Sequence, residues 1–170
     1  MTGLLGLAGL LIVLLGLMVA GAWWLTWLAA RLDRAHARAE RAWVVLDAAL
    51  VRRAQRAAEL AQHPEVDPAS SLLVCDAAAE ALEADLAPEA REQAESGLSH
   101  LLRVVPLPGL DLEQDRVALA RRLHNDAVST ACALRRRPVV RTLRMAGWAG
   151  EPRPFEMADE RLVWSDGAER

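Results

Sequence analysis

The chain has 170 residues, with 20 basic and 23 acidic side chains, a net charge of −3, no lysine, no tyrosine and a single phenylalanine. Its first 30 residues carry no charge, and the 140 that follow are too few for a barrel or dinucleotide-binding enzyme behind an anchor. Two cysteines make no disulfide scaffold, and the slightly negative balance excludes a generally basic nucleic-acid binder.

Residues 3–28 are apolar apart from the hydroxyl of Thr26. Roughly 20 apolar residues suffice to cross ~30 Å of hydrocarbon as a helix, and lipid forces a lone segment to satisfy its own backbone. Trp23, Trp24 and Trp27 cluster at one end, where indole rings favour the headgroup layer, and Arg31 and Arg34 follow at once. A cleaved signal peptide is the rival, because Ala20-Gly21-Ala22 looks like a small-residue cleavage site. Against it, no positive segment precedes the apolar run, and the run continues past that site. An uncleaved anchor over residues 3–30 is therefore expected. Basic flanks stay in the cytoplasm, so Arg31, Arg34, Arg38 and Arg41 predict an outside N-terminus and a cytoplasmic remainder, located at the cell membrane. Cys75 and Cys132 are then expected as free thiols in a packed interior. The glycines at 3, 6, 9 and 16 read either as small residues of an ordinary anchor or, through Gly16 and Ala20, as a helix-pairing face.

From Leu32 the period becomes helical. Leu32, His36, Ala39, Trp43, Leu46, Leu50, Ala57 and Leu60 form one stripe, with Arg53 inside it, and His63-Pro64 ends it. Asp67-Pro68 is a helix start, after which Leu72, Cys75, Ala79, Leu82 and Leu86 recur at helical spacing. Pro88 opens a third helix with Ala94, Leu98, Leu101, Leu102 and Val105, and Pro106 with Pro108-Gly109 makes a turn. A fourth helix spans about 111–137 with Val117, Ala120, His124, Ala127, Ala131 and Leu134 on one side, before Pro138 interrupts it. No stretch alternates with a strand's period. The expectation is an all-α protein: a transmembrane helix, an antiparallel up-and-down four-helix bundle over residues 31–148, and an acidic tail over 149–170. Residues 31–62 carry net +3, 63–102 net −8 and 103–144 net +5, so acidic middle helices are expected to face basic outer ones.

At the fourth helix the residues stop being generic. Arg121-Arg122-Leu123-His124-Asn125-Asp126-Ala127-Val128 resembles the RxRYNDAV segment of the LemA-like family, with His124 where tyrosine is usual. Glu151-Pro152-Arg153-Pro154-Phe155-Glu156-Met157-Ala158-Asp159-Glu160 resembles its closing KPRPYFEADE signature. Residues 41–53, including Ala42-Trp43 and Arg52-Arg53, are similar to its AWSQIDVQLKRR segment, and Ala94-Glu95-Ser96-Gly97-Leu98 lies where AENxL would. The family's FPGNLIA stretch is replaced by residues 137–143 and its GFK by Gly147-Trp148-Ala149. The resemblance spans 32–160 and implies a divergent, single-pass helical member. It supplies a fold and a location, not a reaction.

No motif carries catalysis, a metal or a cofactor. His36, His63, His100 and His124 are far apart, Cys132 lies in a plain helix interior, Glu80 and Glu83 share a face off the apolar stripe, and a chain without lysine has no phosphate loop. Arg135, Arg136, Arg137, Arg141 and Arg144, interleaved with apolar residues and Trp148, are the candidates for lipid headgroups. A fourth helix returning toward the membrane would bring them to the leaflet, and a solvated loop paired with the acidic tail is the alternative. For Arg53, either its stem packs while its head reaches water, or it is buried against a partner such as Asp126. The expected function is non-enzymatic: a membrane-anchored bundle presenting a cytoplasmic surface to a protein partner or to lipid, without nucleic acid or an evident small-molecule substrate. Self-association through the anchor and first helix, and an enzyme whose site converges only in three dimensions, are the alternatives. An apolar strip left open along the first helix would favour self-association.

Overall fold

The computed structural model describes residues 2–84, 88–143 and 150–157, and those residues form five helices and no strand. They are α1 (Thr2–Ala61), α2 (Pro68–Glu83), α3 (Pro88–Val104), α4 (Asp111–Arg135) and the short α5 (Pro138–Thr142). The apolar N-terminal segment and the first helix of the domain both belong to α1, a single helix of 60 residues, about 90 Å long at 1.5 Å per residue. Nothing between residues 28 and 32 breaks it: the segment Leu28-Ala29-Ala30-Arg31-Leu32 contains only good helix formers.

The two halves of α1 meet different surroundings. The N-terminal half is long and apolar enough to cross a membrane, and none of its most apolar stretch is covered by the rest of the protein. From Leu28 onward, the stripe read from the sequence becomes the spine of the domain. Leu32, Ala39, Leu46, Leu50, Arg53 and Ala57 are buried, joined by Leu28, Ala35, Ala54 and Ala61.

α4 packs along this spine in reverse order. Leu134 and Ala131 meet Leu28, Leu32 and Ala35; Ala127 and Val128 meet Ala39; Ala120 and Val117 meet Leu46 and Leu50. All six residues expected on the inner side of α4 are buried. α5 extends the foot of this pair, with Val140 packed near Leu28 and Leu32. Pro138 thus restarts a helix as well as interrupting one.

α2 packs on the far end of α1, and α3 packs on α2. Asp67 caps α2 by accepting from the Ser70 amide at 3.0 Å, with Pro68 in the first turn. The face of α2 differs from expectation. Val74, Ala78 and Ala81 are buried, whereas Ala79 is exposed, Cys75 is half-buried, and Leu72 and Leu82 are 72% and 36% exposed. Leu86 lies outside the described residues. The reason is the partner surface. α1 offers Ala54, Ala57 and Ala61 here, and small residues on both sides let two helix axes approach closely. Leucines would hold them apart.

α3 buries Ala94, Leu98 and Leu102 as expected, together with Arg91, Glu95 and Ser99. These polar residues correct the expectation for Arg53. Its head does not reach water, and its partner is not Asp126. Arg53 is 3% exposed and donates to Glu95 Oε2 at 2.6 Å and Ser99 Oγ at 2.9 Å. Arg91 donates from Nε to the other Glu95 oxygen at 3.4 Å and from its terminal nitrogen to Asp47 at 2.9 Å. One buried carboxylate thus holds two buried guanidinium groups between α1 and α3.

The turn from α3 to α4 uses Gly109 at φ +91°. No heavy atom lies within 4 Å of a Cβ built there, so Gly109→Ala is opposed only by backbone conformation. We expect it to cost about 1–2 kcal/mol, read as a lower urea midpoint with an unchanged slope.

Candidate functional site

Residues 150–157 lie over the domain as an irregular strap without helix or strand. Two prolines in Glu151-Pro152-Arg153-Pro154 deny it a helix and two amide donors, so side chains must hold its backbone. Asn125 of α4 supplies the main fastening. Its amide nitrogen donates to Phe155 O at 3.1 Å, and its oxygen accepts from Phe155 N at 2.9 Å. Arg135 donates to Gly150 O at 2.9 Å, and the Cys132 thiol sits 3.5 Å from Pro152 O. From α3, Glu92 accepts the Glu156 amide at 3.0 Å, and Glu89 pairs with Arg153 at 3.0 Å. The Phe155 and Met157 side chains descend into the core beside Leu46, Leu50, Val117 and Ala120.

Between the strap, α1 and the start of α3 lies a groove of about 960 Å³. Its aromatic part is Trp43 of α1, tilted against His124 and Phe155 with ring centroids 5.5 and 5.7 Å away. Five carboxylates line it, Glu40, Glu89, Glu92, Glu151 and Glu156, against one arginine, Arg153. Glu89 and Glu92 are occupied by the strap. The side chains of Glu40, Glu151 and Glu156 have no partner among the described residues.

Two histidines that the sequence leaves far apart, His36 and His124, line the same groove. Their tautomers follow from their neighbours. Arg135 can only donate, so His36 Nε2 accepts from it at 3.1 Å and Nδ1–H donates to Leu32 O at 3.0 Å. The Arg153 carbonyl can only accept, so His124 Nε2–H donates to it at 3.3 Å. His124 Nδ1 is then a buried acceptor without a partner. Among the described residues no three of His, Cys, Asp and Glu are placed to hold a metal ion.

The residues expected at the membrane are distributed as follows. Trp23, Trp24 and Trp27 are exposed on α1, with the Arg31 guanidinium 5.5 Å from the Trp27 ring, and Arg34 is exposed nearby. Arg136, Arg137 and Arg141 are exposed at the end of α4 and on α5, beside the segment that packs on Leu28 and Leu32. Arg135 is half-buried and engaged with His36 and Gly150. Arg144 and Trp148 lie outside the described residues, as does the end of the closing signature from Ala158. Cys75 and Cys132 are free and half-buried, and Glu80 and Glu83 are exposed.

The groove itself was not legible in the sequence. The one local signal for it was Asn125, an amide in a helix interior that disfavours it, followed some 30 residues later by a proline-rich segment with a lone phenylalanine. No family model, no curated protein and no solved structure matches the chain.

Proposed function

We propose that the chain is a single-pass membrane protein whose helical domain stands on the cytoplasmic side and presents an interaction surface to a protein partner, without catalysing a reaction. The observation that carries this is the continuity of α1. One rigid helix passes from an uncovered apolar half, with Leu10 to Val19 broadly exposed, directly into the domain's buried spine. An exposed apolar surface of that size needs lipid around it. The positive flank from Arg31 to Arg41 favours the cytoplasmic side for the domain.

The same reading takes the domain as an up-and-down four-helix bundle of LemA-like kind. In its support, three separated segments that resemble the family meet at one point through Trp43, His124 and Phe155. The fourth supplies Glu95, which pairs with Arg53. Arg31, Arg34, Arg136, Arg137 and Arg141 are then a basic collar at the foot of the domain, with roughly 1 kcal/mol available to each from anionic lipid near the surface.

Self-association is the second reading. It is favoured by a smaller pocket of about 370 Å³ where Val45, Leu119 and Leu123 are exposed. Along α1 past residue 30, only Val44 and Val45 are large apolar residues left exposed. That is a short patch and not a strip along the helix.

The test is alkaline carbonate extraction of native membranes, with mass spectrometry of the intact chain and protease treatment of whole and permeabilised cells. The chain is expected in the pellet, with its N-terminal segment retained and a C-terminal epitope cleaved only after permeabilisation. A product beginning after Ala22, or an epitope cleaved on whole cells, overturns the anchor and the orientation respectively.

A further inference from the structure

We propose that the groove between α1 and the strap is a binding site for an arginine-bearing segment of a partner polypeptide. This rests on the reading above that the domain is an interaction module, and it adds which surface is used and what occupies it. The groove's ionised side chains are mostly acceptors, five carboxylates against one guanidinium. Among the described residues the carboxylates of Glu40, Glu151 and Glu156 lack partners, and Trp43 lines the groove with a half-exposed indole. Arginine is the complement of such a set. Its guanidinium has five donors and no acceptor, stacks on aromatic faces, and is drawn to indole within about 6 Å of the ring.

The spacing of the carboxylates points to a peptide and not to a single small cation. Glu151 and Glu156 are five residues apart on the strap, up to about 17 Å of chain, and Glu40 stands on a different element. Two or more guanidinium groups along an extended segment can serve all three. The groove's volume, about 960 Å³, sits at the upper end of what encloses a drug-sized ligand. Its net negative lining also sets it apart from the basic collar at the foot of the domain, so the partner's cationic segment is steered to the groove and away from Arg136, Arg137 and Arg141.

The experiment uses the full chain in phosphatidylcholine nanodiscs, titrated into fluorescein-labelled hexa-arginine peptide and followed by anisotropy. Saturable binding is expected to weaken about tenfold or more when Glu40→Gln, Glu151→Gln and Glu156→Gln are combined, because three ion pairs over an aromatic wall are lost. The control carries the same charge change away from the groove: Glu65→Gln, Glu80→Gln and Glu83→Gln, which should shift binding less than twofold. Glu40→Gln alone, on the exposed side of a long helix, keeps the test open if the triple variant folds poorly, and should weaken binding about threefold. No saturable binding by the wild type, or equal losses in the two triple variants, overturns the proposal. Displacement of the peptide by spermidine at equal concentration would replace the peptide with a small polyamine and also overturn it. None of these results bears on membrane anchoring, which extraction reads separately.

Discussion

Replacing Glu95 with alanine should cost the domain about 3–5 kcal/mol, the range for breaking a buried ion pair by removing one partner. Glu95 is fully buried, and the guanidinium groups it holds belong to residues only 3% and 4% exposed, Arg53 and Arg91. Without the carboxylate, Arg53 keeps Ser99 and a distant carbonyl, and its Nε already lacks a partner. Against a total stability of about 5–15 kcal/mol, such a loss is enough to release α3 from α1. The companion Asp47→Ala removes only the outer contact of Arg91, from a side chain 38% exposed, and should cost less than about 1 kcal/mol. Replacing the pair together, Arg53→Leu with Glu95→Leu, should be milder than Glu95→Ala, because no buried charge on α1 is then stranded. Urea unfolding of the full chain in micelles, followed by far-UV circular dichroism, ranks the three. A Glu95→Ala loss no larger than that of Asp47→Ala would mean that the network is solvated.

The same network marks where the sequence was informative and where it was not. Periodicity places Arg53 on the inner face of α1, and the structure buries it there. Periodicity is a property of one helix, so it carries nothing about which neighbour faces that position, and the partner comes from α3 and not α4. α4 was largely readable because arginines, acids and hydroxyls occupy much of its outer side: Val117, Ala120, His124, Ala127, Ala131 and Leu134 are buried as expected, and Ala118 and Val128 join them. α2 was not, because Leu72, Leu73, Val74, Cys75 and Ala77 to Ala79 are apolar on nearly every side. Several stripes fit such a segment, and the alanine face of α1 selects among them. Charge segregation between helices yields one buried link, Arg53 with Glu95. The strap was legible only as composition, since its backbone is held by side chains some 15 to 64 residues away.

Phe155→Ala should detach the strap at a cost of about 3–5 kcal/mol, the usual range for emptying a buried phenylalanine site. Phe155 is 3% exposed and fills the space between Leu46, Leu50, Val117 and Ala120. The strap adds no residues to the α1–α4 seam at Ala39 and Ala127, or at Leu28 and Leu134. Its release is therefore a local opening below the global one. Amide hydrogen exchange is the direct measure. The Phe155 and Glu156 amides, which donate to Asn125 and Glu92, should exchange about a hundredfold faster or more, at tenfold per 1.4 kcal/mol. Amides in the middle of α4 should change far less. Asn125→Leu reaches the same state by another route, since it keeps the helix and removes both hydrogen bonds to Phe155. Equal acceleration in α4 and the strap would show that the strap unfolds only with the whole domain. The consequence extends to the groove, because Glu151 and Glu156 are carried by the strap while Glu40 is carried by α1. Detachment scatters two of these three carboxylates and leaves the third in place. Binding of the arginine peptide by Phe155→Ala should thus fall to the level of a double variant, Glu151→Gln with Glu156→Gln, and not to that of the triple variant.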